Sequence, residues 1–335
     1  MIKHNKPTLE IEEQQAAVRA IQSGWIAQGS EVTYFENELC DFLGLPEQHA
    51  VAVSSGTAAL FMALWALQAE KKTVAIPVYA CSALRNAIGL AHAEEILVDI
   101  TEESPNICLN SVRTSNADIV IAPHLFGLPS NLKKLDNIDI IEDCAQAIGA
   151  SVLGVPVGLQ GKIGVFSFYA SKLITSGGQG GMLVSRDSSL ISAVRDFRNF
   201  DCRKDHHLRF NFQMTDIQAA IGRVQLKKLP LFLSRRNEIF EMYRQAGLDL
   251  LGKDIDSSAR YRAVIKTPDA NKIMTYLFKK GIQAIVPLED WELLGDSNLF
   301  PNAFRLTQET LSLPIYPSLT NKNIEYILSN IRVFK

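Results

Sequence analysis

Apolar and polar residues follow two different spacings along this chain. Residues 10–23 and 31–43 carry apolar side chains at helical spacing. From residue 50 onward, short and mostly apolar runs alternate with further helical stretches; the runs are 50–53, 74–76, 96–98, 119–122, 138–141, 164–168 and 181–184. Runs with apolar residues on both faces are typical of a mostly parallel sheet covered by helices, so an α/β fold is predicted.

The last third of the chain has a different pattern. A long helical region is predicted over residues 215–247, with an interruption at Pro230. Shorter elements follow, and they are predicted as a strand at 261–265, a helix at 270–280, a strand at 282–286 and a final helix at 321–331. We therefore expect a large domain over residues 1–230 and a small α+β domain over 231–335.

Composition narrows the class of protein. The 335 residues are 47% hydrophobic, enough for a sizeable core, and 34 basic against 36 acidic residues leave a net charge of −2. A balance this close to neutral argues against a nucleic-acid or membrane-surface partner bound through bulk charge. The five cysteines show no CxxC spacing, the N-terminus does not resemble a signal peptide, and the longest apolar run, 58–67, is too short to span a membrane. We expect a cytoplasmic protein with reduced thiols.

Two charged residues suggest the chemistry. Lys172 lies between an aromatic, apolar segment and the glycine-rich run 176–181. Asp143 closes a predicted strand, and ligands of α/β proteins lie at the carboxyl ends of their strands. A lysine amine and a carboxylate are the two groups that pyridoxal phosphate (PLP) requires, the amine for a Schiff base and the carboxylate for the ring nitrogen. Glu142 is an alternative to Asp143, and strand alternation allows only one of them to face a ligand.

A third element precedes these two residues. Ser55, Gly56 and Thr57 lie between a predicted strand and the start of an apolar helix. The amides and the partial positive charge of a helix N-terminus bind phosphate, and the glycine permits close approach. By itself the same triplet is more often an ordinary N-cap than a phosphate site.

Other chemistries find little support. Neither GxGxxG at the first strand–helix turn nor GxxxxGK[ST] occurs, and the histidines lack the spacing of metal ligands. The adjacent pair His206 and His207 is interpreted as a solvated loop. We therefore expect no metal site.

Taken in order, several segments resemble the DegT/DnrJ/EryC1/StrS family of PLP-dependent sugar aminotransferases, fold type I. The segments that carry the resemblance are residues 24–29, 35–36, 54–60, 123–127, 142–146, 166–172, 211–216, 218–222 and 313–314. They span nearly the whole chain, and it is their order, not any one of them, that is specific.

The resemblance implies a role for each matched residue. Lys172 would form the Schiff base and carry the proton, and Asp143 would pair with the ring nitrogen. The remaining residues implied to contact the cofactor are Ser55, Gly56, Thr57 and Ser167 at the phosphate, and Gln146, Tyr79 and Cys81 near the ring. Asn211 would reach the phosphate of a neighbouring subunit, because family members are homodimers with shared active sites. The apolar helical stretch 214–229 is interpreted as part of that interface, with packing inside its own subunit as the alternative.

The chain also departs from the family pattern. Cys81 stands where an aromatic residue usually stacks on the ring, and Gln179 and Gln213 replace a usual acid and a usual arginine. Residues 286–289 lack the usual His/Tyr-rich pattern. These departures, Cys81 excepted, suggest an unusual acceptor substrate.

The predicted function is transfer of an amino group from an amino acid, glutamate, to a keto sugar carried on a nucleotide. One alternative is a PLP enzyme acting on a non-sugar ketone, or a dehydratase, although related dehydratases have histidine in place of Lys172. Another is a catalytically idle PLP-binding regulator.

Overall fold

The computed structural model describes residues 1–255 and 257–334. Its α-helices are α1 (Ile11–Gln22), α2 (Ser30–Leu43), α3 (Gly56–Ala66), α4 (Ala83–Leu90), α5 (Leu109–Thr114), α6 (Ser188–Arg198), α7 (Asp216–Gln245), α8 (Ala270–Lys279), α9 (Pro301–Gln308) and α10 (Asn321–Ile331). Its strands are β1 (Ala50–Val53), β2 (Thr73–Pro77), β3 (Glu94–Val98), β4 (Ile119–Pro123), β5 (Asp139–Asp143), β6 (Ser151–Val152), β7 (Val155–Pro156), β8 (Ile163–Ser167), β9 (Gly181–Val184), β10 (Ala263–Lys266) and β11 (Thr310–Leu313).

Seven strands form the central sheet in the order β1-β9-β8-β5-β4-β2-β3. Neighbouring strands from β8 to β3 are parallel, while β9 runs antiparallel to both β1 and β8. The strands β1, β2, β4, β5 and β8 therefore end at the same edge of the sheet. This edge is where a ligand site is expected in an α/β fold.

Helices cover both faces of the sheet, which explains why strands such as β1, β4 and β8 are buried at every position. Alternate residues of β1 show this, since Val51 and Val53 pack with α3 and Ala50 and Ala52 pack with α2 and α7. All four side chains are buried. Local signals fix where the helices begin and end: Thr215 and Gln218 form a capping box at the start of α7.

A second, smaller core surrounds the antiparallel pair β10 and β11. It contains the last turns of α7, together with α8 and α10. No helix within residues 1–255 and 257–334 has the combination of length and apolarity needed to cross a membrane. The division into domains at residue 230 stays a prediction.

Two expectations about elements need correction, and some elements had not been predicted. The predicted strand at 282–286 forms only isolated bridges, between Ile282 and Ile2 and between Ile285 and Ser312. The helix α7 continues through Pro230, because a helix can tolerate one missing hydrogen bond when packing holds both halves. Strand β11 and helix α9 had not been predicted.

The apolar side of α7 packs inside its own subunit. Its buried residues Leu226 and Leu229 belong to the core beneath the sheet, and Gly222 lies against the ring of Phe35 on α2. The buried residues of the stretch 214–229 thus pack inside their own subunit, and a contribution of this stretch to a subunit interface stays a prediction.

Candidate active site

A cavity of about 230 Å³ lies at the carboxyl edge of the central sheet. Eight of the residues expected at the site line it: Ser55, Gly56, Thr57, Cys81, Asp143, Gln146, Ser167 and Lys172. They come from the ends of β1, β2, β5 and β8 and from the loop after β8. Segments far apart in sequence thus meet in one place because their strands end at one edge.

The first turn of α3 forms one wall of the cavity. Ser55 is the N-cap, and its Oγ accepts a hydrogen bond from the Ala58 N–H at 3.1 Å. The capping interpretation is therefore correct for Ser55, and it leaves the next amides of the turn without intrahelical acceptors. Gly56 lies against Ser167: a Cβ on residue 56 would lie 2.9 Å from the Ser167 Cβ. Only glycine fits this close approach without movement.

Lys172 is held by a tight loop after β8. Its backbone N–H donates to the Tyr169 carbonyl at 2.9 Å, and the loop closes through a Ser176 N–H bond to the Phe168 carbonyl at 3.0 Å. Gly177 and Gly178, with φ of 81° and 139°, allow the chain to turn back. The Lys172 Nζ lies 5.6 Å from the centre of the Tyr261 ring.

Asp143 and Glu142 point to opposite faces of β5. Asp143 lines the cavity, and its Oδ1 accepts a hydrogen bond from the Ala145 N–H at 2.9 Å. Burial raises the pKa of Asp143, although the Ala145 N–H and the charge of Lys172 oppose this effect. A cationic partner would stabilise the charged form of a carboxyl group in this environment.

Glu142 is fully buried beneath the cavity. It accepts hydrogen bonds from His124 Nε2 at 3.0 Å and from the backbone N–H groups of Gly158, Gln160 and Gly161 at 2.9, 2.5 and 2.8 Å. Burial alone would raise the pKa of Glu142, but His124 and these amides outweigh it and lower the pKa. Glu142 is thereby committed to the scaffold.

His124 takes part in the same network with a defined tautomer. Its Nδ1 accepts from the Ser130 N–H at 3.1 Å, so the ring proton lies on Nε2 and is donated to Glu142. The Cys144 Sγ lies within 4.8 Å of a ring nitrogen of His124 and of a carboxylate oxygen of Glu142. The cluster is joined by its own hydrogen bonds, and burial raises the pKa of Cys144 further above its usual range.

Gln146 has a structural contact that its sequence position did not reveal. Its Oε1 accepts a hydrogen bond from the Phe126 N–H at 2.7 Å. Phe126 has a φ of 60°, in the left-handed region that is uncommon for this residue type. The bond to Gln146 stabilises this turn, which places Pro123 and Leu125 on the cavity wall.

Tyr79 and Asn211 lie outside the cavity lining. Tyr79 is buried, and its ring packs edge-on against Phe126 with centroids 6.2 Å apart. A contact between Tyr79 and a cofactor ring is therefore not supported, and exposed Cys81 lines the cavity instead. Asn211 is exposed, and its Oδ1 accepts from the Gln213 N–H at 3.1 Å.

Several residues at the site had not been predicted as contacts. Tyr169 and Gln179 line the cavity, and the Gln179 carbonyl accepts from the Gln218 side chain at 3.0 Å. The glycine-rich run around Gln179 was the available signal for it. Tyr261 packs in the core beneath the sheet, beside Lys172. Its sequence context gave no signal, because the contact joins residues far apart in the chain.

The arrangement fits PLP. An amine and a carboxyl group line one cavity, as the cofactor's aldehyde and ring nitrogen require. A helix N-terminus narrowed by Gly56 and Ser167 provides a cradle for its phosphate, which a side chain at residue 56 would fill.

Comparisons with known proteins agree with this fit. Residues 7–332 match the DegT/DnrJ/EryC1/StrS aminotransferase family. GDP-perosamine synthase of Escherichia coli O157:H7 is 29% identical, and the match covers 98% of this chain and 97% of that protein. A dTDP-4-dehydro-2,3,6-trideoxy-D-glucose 4-aminotransferase of Saccharopolyspora spinosa is 27% identical, with coverage of 98% and 95%.

A solved structure is similar over the same extent. The crystal structure of the aminotransferase TlmJ from Streptoalloteichus hindustanus superimposes with a TM-score of 0.92 at 26% identity, covering 99% of this chain and 98% of that one. Fold, cavity and family match thus lead to one conclusion: the chain belongs to the DegT/DnrJ/EryC1/StrS family and is a PLP-dependent aminotransferase.

Proposed function

We propose that the protein transfers the amino group of an amino acid, glutamate, to a keto sugar carried on a nucleotide. The observation that carries the proposal is the meeting of Lys172 and Asp143 in one cavity with the first turn of α3. The names of the relatives support the acceptor class, since they act on GDP-linked and dTDP-linked sugars.

In this proposal each cavity residue has a defined task. PLP supplies an aldehyde that accepts the amino group and a ring that withdraws electrons. The amine of Lys172 takes the proton from the α-carbon of the donor and returns it at the C4′ atom of the cofactor. The carboxylate of Asp143 keeps the ring nitrogen protonated, and the same contact offsets the cost of burying its own charge.

The phosphate end is assigned to Gly56, Thr57 and Ser167, with Ser55 capping the helix behind them. The amides of the first turn of α3 would donate to the phosphate oxygens. Gln146 and Cys81 would border the ring.

We also propose a homodimer in which Asn211 contacts the phosphate of the partner subunit. Asn211 is exposed and lies outside its own cavity. Two large apolar side chains on the same loop, Leu208 and Phe210, are 89% and 56% exposed, which suits a surface that a second copy covers.

The proposed location is the cytoplasm. The cysteines Cys40, Cys81, Cys108, Cys144 and Cys202 are all free thiols. Free thiols suit a reducing compartment, and nucleotide-linked sugars are intracellular metabolites.

The decisive experiment follows the amino nitrogen. The PLP-loaded protein is incubated with ¹⁵N-labelled L-glutamate and a panel of nucleotide-linked keto sugars, and products are read by mass. The expected result is one amino sugar that carries ¹⁵N. Formation of 2-oxoglutarate without an amino sugar would favour a non-sugar ketone as acceptor, and the absence of 2-oxoglutarate with every sugar would favour the regulator.

A further inference from the structure

Arg262 has an unusual environment for an arginine. It directly precedes β10, and its backbone N–H donates to the Phe126 carbonyl at 3.3 Å. The guanidinium carbon lies 5.6 Å from the centre of the Tyr261 ring. Two of its nitrogens, Nε and Nη1, are buried and have no hydrogen-bond partner within residues 1–255 and 257–334. Buried guanidinium nitrogens without acceptors are costly.

The surroundings of Arg262 are cationic. Lys172 lies over the same Tyr261 ring, with its Nζ also 5.6 Å from the ring centre. Burial, and after it the charges of Arg262 and Arg236, lowers the pKa of His4 to about 3. Among the described residues, no carboxylate forms an ion pair with Arg262, Lys172 or Arg236.

Two acidic groups of this region act on other residues. Burial raises the pKa of Asp143 and the charge of Lys172 opposes this effect, while Glu292 adds to the raised pKa of Tyr79. Burial raises the pKa of Tyr79 and the charge of Arg262 opposes that effect, so the guanidinium also lies near this tyrosine.

Arg236 shows what an arginine with a scaffold role looks like here. Its Nη1 donates to the carbonyls of Arg260, Tyr261 and Ile315 at 3.3, 3.2 and 3.0 Å. These bonds join α7 to the small core. Arg262 has no such set of carbonyls, so holding the fold together does not account for its position.

We propose that Arg262 binds the carboxylate of the amino donor. The inference rests on the proposed function and names a residue for its first substrate. The α-carboxylate is attached to the carbon whose proton Lys172 moves, so its site must lie close to that amine. Arg262 and Lys172 share one aromatic ring, and a guanidinium fork matches a carboxylate better than any other side chain does. The bound anion would supply the acceptors that the buried nitrogens lack.

The phosphates of the acceptor nucleotide are the other anion that Arg262 could bind. The two half-reactions of the enzyme distinguish this role from binding of the donor carboxylate. In the first, the PLP form is mixed with L-glutamate and cofactor absorbance is followed in single turnovers. In the second, the aminated form is mixed with the keto sugar. Arg262→Met should raise the half-saturating glutamate concentration roughly thirtyfold or more and leave the keto sugar half-reaction within twofold. Arg262→Lys should fall between.

A binding measurement completes the test without any turnover. Glutarate, a dicarboxylate without an amino group, should raise the melting temperature of the wild-type protein and should not raise that of Arg262→Met. The matched control is Arg305→Met, a surface arginine whose partner is Glu102. The control should respond to glutarate as the wild type does.

The outcomes distinguish this inference from the proposed function. If the wild type accepts no amino group from glutamate, the proposed function fails, and glutarate binding still tests Arg262. If the wild type reacts and Arg262→Met keeps its glutamate dependence, or if only the keto sugar step is impaired, the carboxylate assignment is overturned. If Arg262→Met does not fold, competition between glutarate and glutamate is measured in the wild type. Failure of glutarate to compete would then overturn the carboxylate assignment.

Discussion

Asp143 and Glu142 are consecutive residues of β5 whose carboxyl groups lie in opposite environments. Asp143 faces the cavity with a raised pKa, while Glu142 is bonded to His124 beneath it with a lowered pKa. One strand thus carries a carboxyl group available to a ligand and another committed to the scaffold. Opposite effects of the two substitutions are therefore expected.

For Asp143, activity and stability should change in opposite directions. In the cofactor-free protein the folded pKa is raised, so the folded state holds the proton more tightly and stability falls as pH rises through the unfolded and then the folded pKa. Cofactor-free Asp143→Asn should therefore melt above the wild type at neutral pH. Its advantage should shrink as pH is lowered toward about 4.

The loaded Asp143→Asn protein should bind PLP but lose most of its turnover, because an amide does not keep the ring nitrogen charged. An unchanged turnover rate would remove Asp143 from the proposed role. Melting curves between pH 4 and pH 8 and steady-state rates are the two measurements.

Glu142→Gln should destabilise the fold. The amide has an NH₂ group that cannot accept, so at least one of the donors from Gly158, Gln160 and Gly161 is left unpaired. The expected loss is about 2–4 kcal/mol in urea denaturation at pH 7.

The pH dependence has the opposite sign to that of Asp143. Because the folded pKa of Glu142 is lowered, its contribution is present above the unfolded pKa and is lost as pH falls through the folded pKa. The control Glu102→Gln, at an exposed residue, should change stability by less than about 0.5 kcal/mol. Equal stability of the two variants would contradict the buried network.

Lys172→Ala should reduce turnover by at least about a thousandfold, since covalent attachment and proton transfer are lost together. Borohydride treatment of the loaded wild type should bleach its absorbance and leave PLP on the peptide that contains Lys172. Lys162→Ala is the matched control, because Lys162 is exposed and pairs with Asp139. Normal turnover of Lys172→Ala would end the assignment.

Gly56→Ala should weaken PLP binding, because the added methyl group would lie 2.9 Å from the Ser167 Cβ. The matched change is Gly89→Ala on α4, where a Cβ meets no atom within 4 Å. The control should stabilise the fold by roughly 0.5–1 kcal/mol through helix propensity. The affinity of both variants for PLP is measured by titration. Equal affinities would show that the close contact between residue 56 and Ser167 is not needed for PLP binding.

The shared-site dimer is tested with two inactive variants. Asn211→Asp should be inactive because a carboxylate repels the phosphate of the neighbour, and Lys172→Ala is inactive for its own reason. Mixed dimers would contain one site with both native residues, so activity should return after mixing. No recovery after demonstrated subunit exchange, or an active monomer, would exclude shared sites.

The sequence by itself determined the sheet and most of the chemistry. Strands such as β1 and β9 and the helix α10 were predicted at their observed bounds, because periodicity and end signals are local properties. Lys172 and Asp143 were predicted as a pair because the ordered set of segments around them resembles the family, and both line the cavity. Alternation also required that only one of Asp143 and Glu142 could face a ligand.

Tertiary structure decided what depends on distant parts of the chain. It placed the strand ends at one edge, committed Glu142 to His124, and brought both Lys172 and Arg262 to the ring of Tyr261. It also left residues 282–286 without a strand partner over their length. Such outcomes depend on long-range packing and on which polar groups remain to be satisfied, and no local spacing encodes either.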